Sequence, residues 1–149
     1  MNIKLKHSES RWVDIDGDSQ FLIGYPTIEQ AENMKEISYQ IALIDESLLQ
    51  AVDQQGREDI LSNFTPEKKA KMLILSERLY KKTIKYCVKG WKGVLDETGE
   101  DAECKQVGGE MQDKLFESLI RDLSLDDLAH IYTCITNETE VTETDKKKL

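Results

Sequence analysis

The sequence predicts an α+β fold, mostly α, in which helices pack with one or two short β-hairpins in a single domain. Long segments repeat apolar residues at helical spacing, and short alternating segments flank turn sequences. The two kinds of segment are segregated along the chain, which is typical of the α+β class. At 149 residues the chain has the length of one domain. We expect this domain to cover residues 1–137, followed at 138–149 by an acidic tail ending in lysines, as an edge strand or a disordered segment.

The first predicted element is a β-hairpin. Residues 12–15 and 20–25 alternate in the way that strands do, and Asp16-Gly17-Asp18 between them is typical of a turn. The same aspartates suggest a calcium-binding EF-hand loop. A loop that starts at Asp14 would need Gly at its sixth position and Glu at its twelfth, where this chain has Ser19 and Tyr25. We therefore predict a hairpin turn and no calcium site.

Helical segments follow the hairpin. Thr27 can accept a hydrogen bond from the amide of Gln30, whose side chain can reach back, so a helix with a capping box should start here. Between residues 37 and 49 the apolar spacing fits both a strand and a helix. We favour a helix because residues 46–50 are ordinary helix formers. Residues 53–57 predict a loop.

The clearest helix start is Thr65-Pro66-Glu67, with a capping residue, a proline at the first helical position and an acidic first turn. We expect a helix from Pro66 to about Val88. Its apolar stripe comprises Met72, Leu75, Leu79, Thr83 and Tyr86. On the opposite face the spacing places Lys81, Lys85, Lys89 and Lys92, for as long as the helix lasts.

The glycines after this helix predict its end and the start of a second hairpin. Residues 94–104 could pair across a turn at 96–99, and Gly108-Gly109 interrupts the chain again. An amphipathic helix is predicted at 110–122, because leucines and a methionine recur every four residues. Ser124 is a suitable N-cap for a last helix that ends near Asn137.

The net charge of −9 is unevenly distributed. Residues 1–65 carry a net −7, residues 66–92 a net +7 and residues 93–145 a net −12, with three lysines near the end. An acidic chain is unfavourable for a general nucleic-acid binder, since phosphate backbones attract basic proteins. The basic segment has two interpretations: it neutralises acidic elements of its own fold, or it attracts a partner.

Several classes of function find no support. No stretch of about 18 apolar residues predicts a membrane span, and no secretory signal is evident, so we expect a cytoplasmic protein with reduced cysteines. The motifs of nucleotide-binding loops and of serine hydrolases are absent from the sequence. His130 and Cys134 could supply half of a metal site, but zinc needs three or four ligands. We expect no enzyme activity, no metal and no cofactor.

Five residues are candidates for a partner-binding surface: Lys81, Lys85, Lys89, Trp91 and Lys92. An aromatic residue among cations is a typical anchor at a protein interface. In the alternative interpretation, Trp91 is a core residue that holds the joint between helix and hairpin.

Residues 87–99, which read CVKGWKGVLDETG, resemble a segment of small tail-assembly proteins of long-tailed bacteriophages. In that family a helix ends in a run of the form (V/I)-x-x-W-x-G-V-x-D-x-x-G, and acidic helices follow. The hairpin at 11–25 is also similar to such phage proteins. The resemblance covers 11–25 and 65–136, and residues 38–62 have no counterpart.

This resemblance implies a tail-assembly chaperone in the cytoplasm of the host cell. Such a protein would coat the tape-measure protein and engage tail-tube subunits without entering the virion, masking apolar helical surface by a helix in a groove. The family supplies no site residues for this chain. Many such families make a longer product by ribosomal slippage, for which the codons of Lys146-Lys147-Lys148 are a candidate site that the gene sequence would test.

Two other functions stay open. One is a structural part of the virion, such as a head–tail connector component. The other is an acidic mimic of DNA that inhibits a host protein, which requires carboxylates in a stripe spaced like phosphates. The sequence does not predict the oligomeric state.

Overall fold

The computed structural model describes residues 10–137, apart from the side chain of Leu49, and gives the backbone of the last helix as far as Lys148. As predicted, the architecture is α+β and mostly α. The strands are β1 (Arg11–Asp14), β2 (Gln20–Ile23), β3 (Val88–Lys92), β4 (Gln106–Val107) and β5 (Glu110–Met111). The helices are α1 (Ile28–Ala42), α2 (Ser47–Gln50), α3 (Gln54–Ser62), α4 (Pro66–Cys87), α5 (Asp113–Arg121) and α6 (Leu125–Lys148). Helix α6 continues to Lys148, past the predicted end near Asn137, and residues 138–148 do not form the alternative edge strand.

The first hairpin is confirmed, and its turn is closed by aspartates. The Asp14 carboxylate accepts from the amide of Gly17 at 3.0 Å, and the Asp16 carboxylate accepts from those of Asp18 and Ser19 at 3.0 and 2.8 Å. These carboxylates therefore bind backbone donors of their own turn, which is why the aspartate-rich sequence forms a hairpin.

Strand β3 was not predicted. Helix α4 ends at Cys87, one residue before the predicted end, and β3 starts at the next residue and pairs antiparallel with β2. The result is a three-stranded sheet in the order β1-β2-β3. The amide of Gly24 donates to the carbonyl of Cys87 at 2.8 Å and so extends this pairing to the helix end. The residues after α4 thus complete the first hairpin instead of only leading into a second one.

The predicted hairpin at 94–104 forms only in reduced extent: its two segments pair antiparallel at one bridge between Leu95 and Asp101. Backbone hydrogen bonds run from Ala102 to Val94 at 2.7 Å and from Asp96 to Glu100 at 2.8 Å, and no longer ladder follows. The carboxylate of Asp96 closes the turn by accepting from the amides of Thr98 and Glu100 at 2.8 and 3.2 Å. A side chain therefore supplies bonds that a strand ladder would supply elsewhere. The second hairpin is β4–β5, whose turn is the Gly108-Gly109 pair, both at positive φ.

The capping box of α1 is confirmed: the Thr27 hydroxyl accepts from the Gln30 amide at 3.1 Å, and the Gln30 side chain accepts from the Thr27 amide at 2.9 Å. Thr65 caps α4 as predicted. The predicted loop at 53–57 is wrong, because Asp53 accepts from the amide of Gly56 at 2.7 Å and caps α3. Helix α5 starts later than predicted because residues 110–111 belong to β5.

The core lies between the inner face of the sheet, the C-terminal half of α4, and helices α5 and α6. Ile84, Val88 and Met111 are completely buried at its centre. Helix α1 packs on the side of α4, whereas α3 contributes no buried residue. Helix α4 is therefore the element around which the others are arranged.

Candidate protein-binding groove

The five predicted site residues do not form one continuous face. Lys81 and Lys85 lie on α4, whereas Lys89, Trp91 and Lys92 lie on β3, because the helix ends before them. The expected helical row of four lysines is therefore wrong beyond Lys85. Side chains alternate between the two faces of a strand, so the later residues follow a different geometry.

The two lysines on α4 contact carboxylates of this same chain. Lys81 pairs with Glu77 at 2.7 Å, one helical turn away. Lys85 lies 2.5 Å from Asp113 and 3.9 Å from Glu110, and it joins α4 to α5 and β5. The hydrogen bond between Lys85 and Asp113 raises the pKa of the lysine and lowers the pKa of the aspartate. These contacts support the interpretation in which the basic segment neutralises its own acidic neighbours.

The residues on β3 also have contacts within the chain. The Lys89 ammonium donates to the carbonyl of Gly109 at 2.6 Å, and burial lowers its pKa. Lys92 lies over the ring of Trp12, 4.2 Å from the centroid, on the outer face of the sheet. Trp91 is 8% exposed, and its indole NH donates to the carbonyl of Ala102 at 2.7 Å. Trp91 is therefore a core residue that ties the sheet to the segment after it.

The histidine and cysteine candidates have structural roles as well. His130 Nε2 lies 2.7 Å from the carbonyl of Ile15, which requires the NH to be on this nitrogen and links α6 to the first hairpin. Cys134 Sγ lies 3.7 Å from the same nitrogen. Among residues 10–137, no group of three or more His, Cys, Asp or Glu side chains could hold a metal ion.

A groove runs along α4, which forms its floor, and α1 and α6 form walls, with further lining residues from the first hairpin and from α2 and α3. It consists of two cavities of about 360 and 510 Å³. Both are lined by Ser38, Leu79 and Tyr132, so they adjoin. The floor extends from Met72 to Cys87, about 22 Å along the axis of α4 at 1.5 Å per residue. The groove therefore has the length of about four helical turns.

The lining of the groove is largely apolar. The hydroxyl of Thr83 donates to the carbonyl of Leu79 on its own helix at 2.8 Å, so it offers no free donor to a ligand. Burial raises the pKa of the Cys87 thiol to about 11 and keeps it neutral. Met34 and Met72 line the two cavities, and their flexible side chains adapt to different ligand shapes.

The charged residues of the groove are all cationic. Arg11 and Lys35 line the first cavity and Arg57 lines the second. Among the lining residues that the structure describes, there is no Asp or Glu. This is notable in a chain with 29 acidic residues.

The sequence predicts the apolar stripe of α4 that forms the floor of the groove, but not the groove or its walls. The apolar stripe of α4 includes Met72, Leu79 and Thr83, which line the groove. Helix α1 and helix α6 come from distant parts of the chain, and no local pattern indicates that they leave this stripe partly open between them. The only available signal was that α4 has more apolar faces than one neighbouring helix can cover.

Comparison with known proteins finds no matching family model, no matching curated protein and no matching solved structure. Within the described part of the chain, none of the helices is both long enough and apolar enough to cross a membrane.

Proposed function

We propose that this chain is a non-enzymatic, chaperone-like protein of phage tail assembly that binds a helical segment of the tape-measure protein in the groove on α4. The resemblance of residues 87–99 and 11–25 to small tail-assembly proteins supports the class of partner. The groove supports the mode of binding, and it is the observation on which the proposal depends.

The shape and chemistry of the groove suit an amphipathic helix. A helix laid along α4 would bury its apolar face against Leu79, Tyr132 and Ile135, with contacts repeating every three to four residues. Burial of apolar surface is the main favourable term in such binding. A chaperone of this kind would keep apolar helical surface of the tape-measure protein out of water until the tail tube covers it.

The residues of the groove favour binding over catalysis. Its hydroxyl at Thr83 is engaged within α4. The thiol of Cys87 is neutral at physiological pH and therefore a weak nucleophile. We further propose that the protein acts in the host cytoplasm, engages tail-tube subunits and leaves before the virion is complete.

The test is co-expression with the tape-measure protein encoded in the same genome. We expect the two proteins to co-purify and the tape-measure protein to aggregate when this chain is omitted. Ser38→Trp should abolish co-purification, because Ser38 is an exposed residue at which both cavities meet. Gln40→Trp is the matched control, since Gln40 is exposed on the opposite side of α1 and lines neither cavity.

A tape-measure protein that stays soluble without this chain would contradict the proposal, as would co-purification that Ser38→Trp leaves unchanged. Mass spectrometry of purified virions separates the proposal from a structural role. Stoichiometric amounts of this chain in the particles would favour a virion or connector component instead.

A further inference from the structure

We infer that the groove selects helices whose apolar face is flanked by carboxylates, and that Lys35 and Arg57 recognise this pattern. This inference rests on the proposed function, because it specifies the chemistry of the segment that the groove binds. The occupant is therefore an acidic amphipathic helix of a partner protein.

The two cations line different cavities of the groove, so one bound helix could contact both of them. Lys35 lies on α1 and lines the first cavity, whereas Arg57 lies on α3 and lines the second. Ser38, which lines both cavities, lies between them along the groove. A helix that follows the floor would pass both side chains, which can contact carboxylates at the borders of its apolar face.

Both side chains are exposed, and neither has an ion pair or a side-chain hydrogen bond with any residue that the structure describes. By contrast, several lysines of α4 form ion pairs, for example Lys68 with Asp45 at 3.2 Å and Lys81 with Glu77 at 2.7 Å. The lining of the groove thus offers two exposed cations without a described ion pair, and it contains no described Asp or Glu. An acidic ligand would be complementary to it.

The acidic character of the rest of the chain adds to this selectivity. With a net charge of −9, the protein should repel acidic partners in general, and only a ligand that reaches the cationic lining gains compensating contacts. Exposed ion pairs are individually weak and are screened by salt. We therefore expect the carboxylates to determine the choice among apolar helices, while the apolar face supplies most of the affinity.

The experiment uses the full chain and three synthetic helical peptides with the same apolar face. Their flanking positions are all Glu, all Gln or all Lys, and binding is measured by fluorescence anisotropy in low and high salt. We expect the Glu peptide to bind about fivefold more tightly than the Gln peptide at low salt, since two exposed pairs contribute only modestly. The Lys peptide should bind most weakly, and high salt should reduce these differences.

Charge reversal identifies the residues responsible. In the double variant Lys35→Glu/Arg57→Glu we expect the order of the three peptides to invert. The double variant Lys105→Glu/Lys114→Glu changes the net charge equally at exposed residues that line neither cavity, and it should keep the original order.

Equal affinity for the three peptides, no binding of any of them, or an order that the groove variant leaves unchanged would overturn the inference. Self-association of the full chain that Lys35→Glu/Arg57→Glu abolishes would also overturn it, because the occupant would then be a second copy. If the inference fails while Ser38→Trp still abolishes co-purification with the tape-measure protein, the proposed function stands without it.

Discussion

Gly93, which directly follows β3, packs closely against the turn of the first hairpin. It has a φ of +78°, and a Cβ atom built on it would lie 2.0 Å from the carbonyl oxygen of Asp18. The hydroxyl of Ser19 donates to the Gly93 carbonyl at 3.2 Å. Glycine is therefore required here both by the backbone conformation and by a backbone contact.

We expect Gly93→Ala to lower the free energy of unfolding by about 3 kcal/mol or more, because strain at positive φ adds to displacement of the hairpin turn. Gly99→Ala is the matched control. Its φ is +84°, but no atom lies within 4 Å of an added Cβ. We therefore expect Gly99→Ala to lower the free energy of unfolding by only about 1 to 2 kcal/mol. Urea denaturation of both variants measures the difference, and equal losses would mean that the contact with Asp18 is not limiting.

The buried thiol of Cys87 should make the folded chain less stable at alkaline pH. Its pKa rises from 9.0 to about 11 in the folded chain, so the unfolded chain loses the proton first as pH increases. The free energy of unfolding should therefore fall between about pH 9 and 11, by about 2 to 3 kcal/mol at 1.36 kcal/mol per pH unit. Urea denaturation from pH 7 to 11 measures this decline.

Other groups also titrate in this range, so the prediction is tested by comparing how the free energy of unfolding declines with pH in two variants. Cys87→Ala should flatten the decline, whatever it costs at pH 7 through the smaller side chain. Cys134→Ala keeps the buried thiol and should retain the decline seen in the unmodified chain. A Cys87→Ala curve parallel to that of Cys134→Ala would contradict the assignment.

Local hydrogen bonds were the residue-scale features that could be predicted from the sequence. The capping partners Thr27 and Gln30 are three residues apart, so their pairing follows from spacing. The partner of Trp91 could not be predicted in this way. Its donor binds the carbonyl of Ala102, a contact that depends on how the intervening turn folds back.

At the level of elements, the joint between α4 and β3 combines a helix end that local sequence predicts with a strand that depends on a distant partner. The end of α4 was predicted within one residue, because Gly90 and the capping geometry are local signals. The strand that follows has five residues, including that glycine, and it pairs with β2 more than 60 residues earlier. Its existence depends on that distant partner, which periodicity does not reveal.

Helix α3, whose first residues lie in the predicted loop at 53–57, should be only weakly protected. It has no buried residue, and its Asp53 cap and a 3.1 Å side-chain contact between Gln55 and Asp59 are exposed interactions. Native-state hydrogen exchange should therefore show α3 amides opening at a much lower free energy than amides around Ile84 in α4. Similar protection of both helices would indicate that another surface covers α3.

At the level of the whole molecule, the alternating charge of the sequence is largely resolved within the fold. Lys68 and Lys85 of the basic segment contact Asp45 before it and Asp113 after it. The distribution of charge along the sequence shows this alternation, but it does not predict that Lys35 and Arg57, which lie outside the basic segment, line the groove. Their common position depends on the packing of α1 and α3 around α4, and no single segment of sequence encodes it.

The sheet also places the two tryptophans in different surroundings. Trp12 is 44% exposed on the outer face beneath Lys92, whereas Trp91 is 8% exposed on the inner face beside Phe21. An indole in water emits at longer wavelength than one in an apolar environment. The molecule therefore contains two intrinsic fluorophores on one sheet, one that senses solvent and one that senses the core. Single-tryptophan variants would separate events at the surface from loss of the folded interior without any attached label.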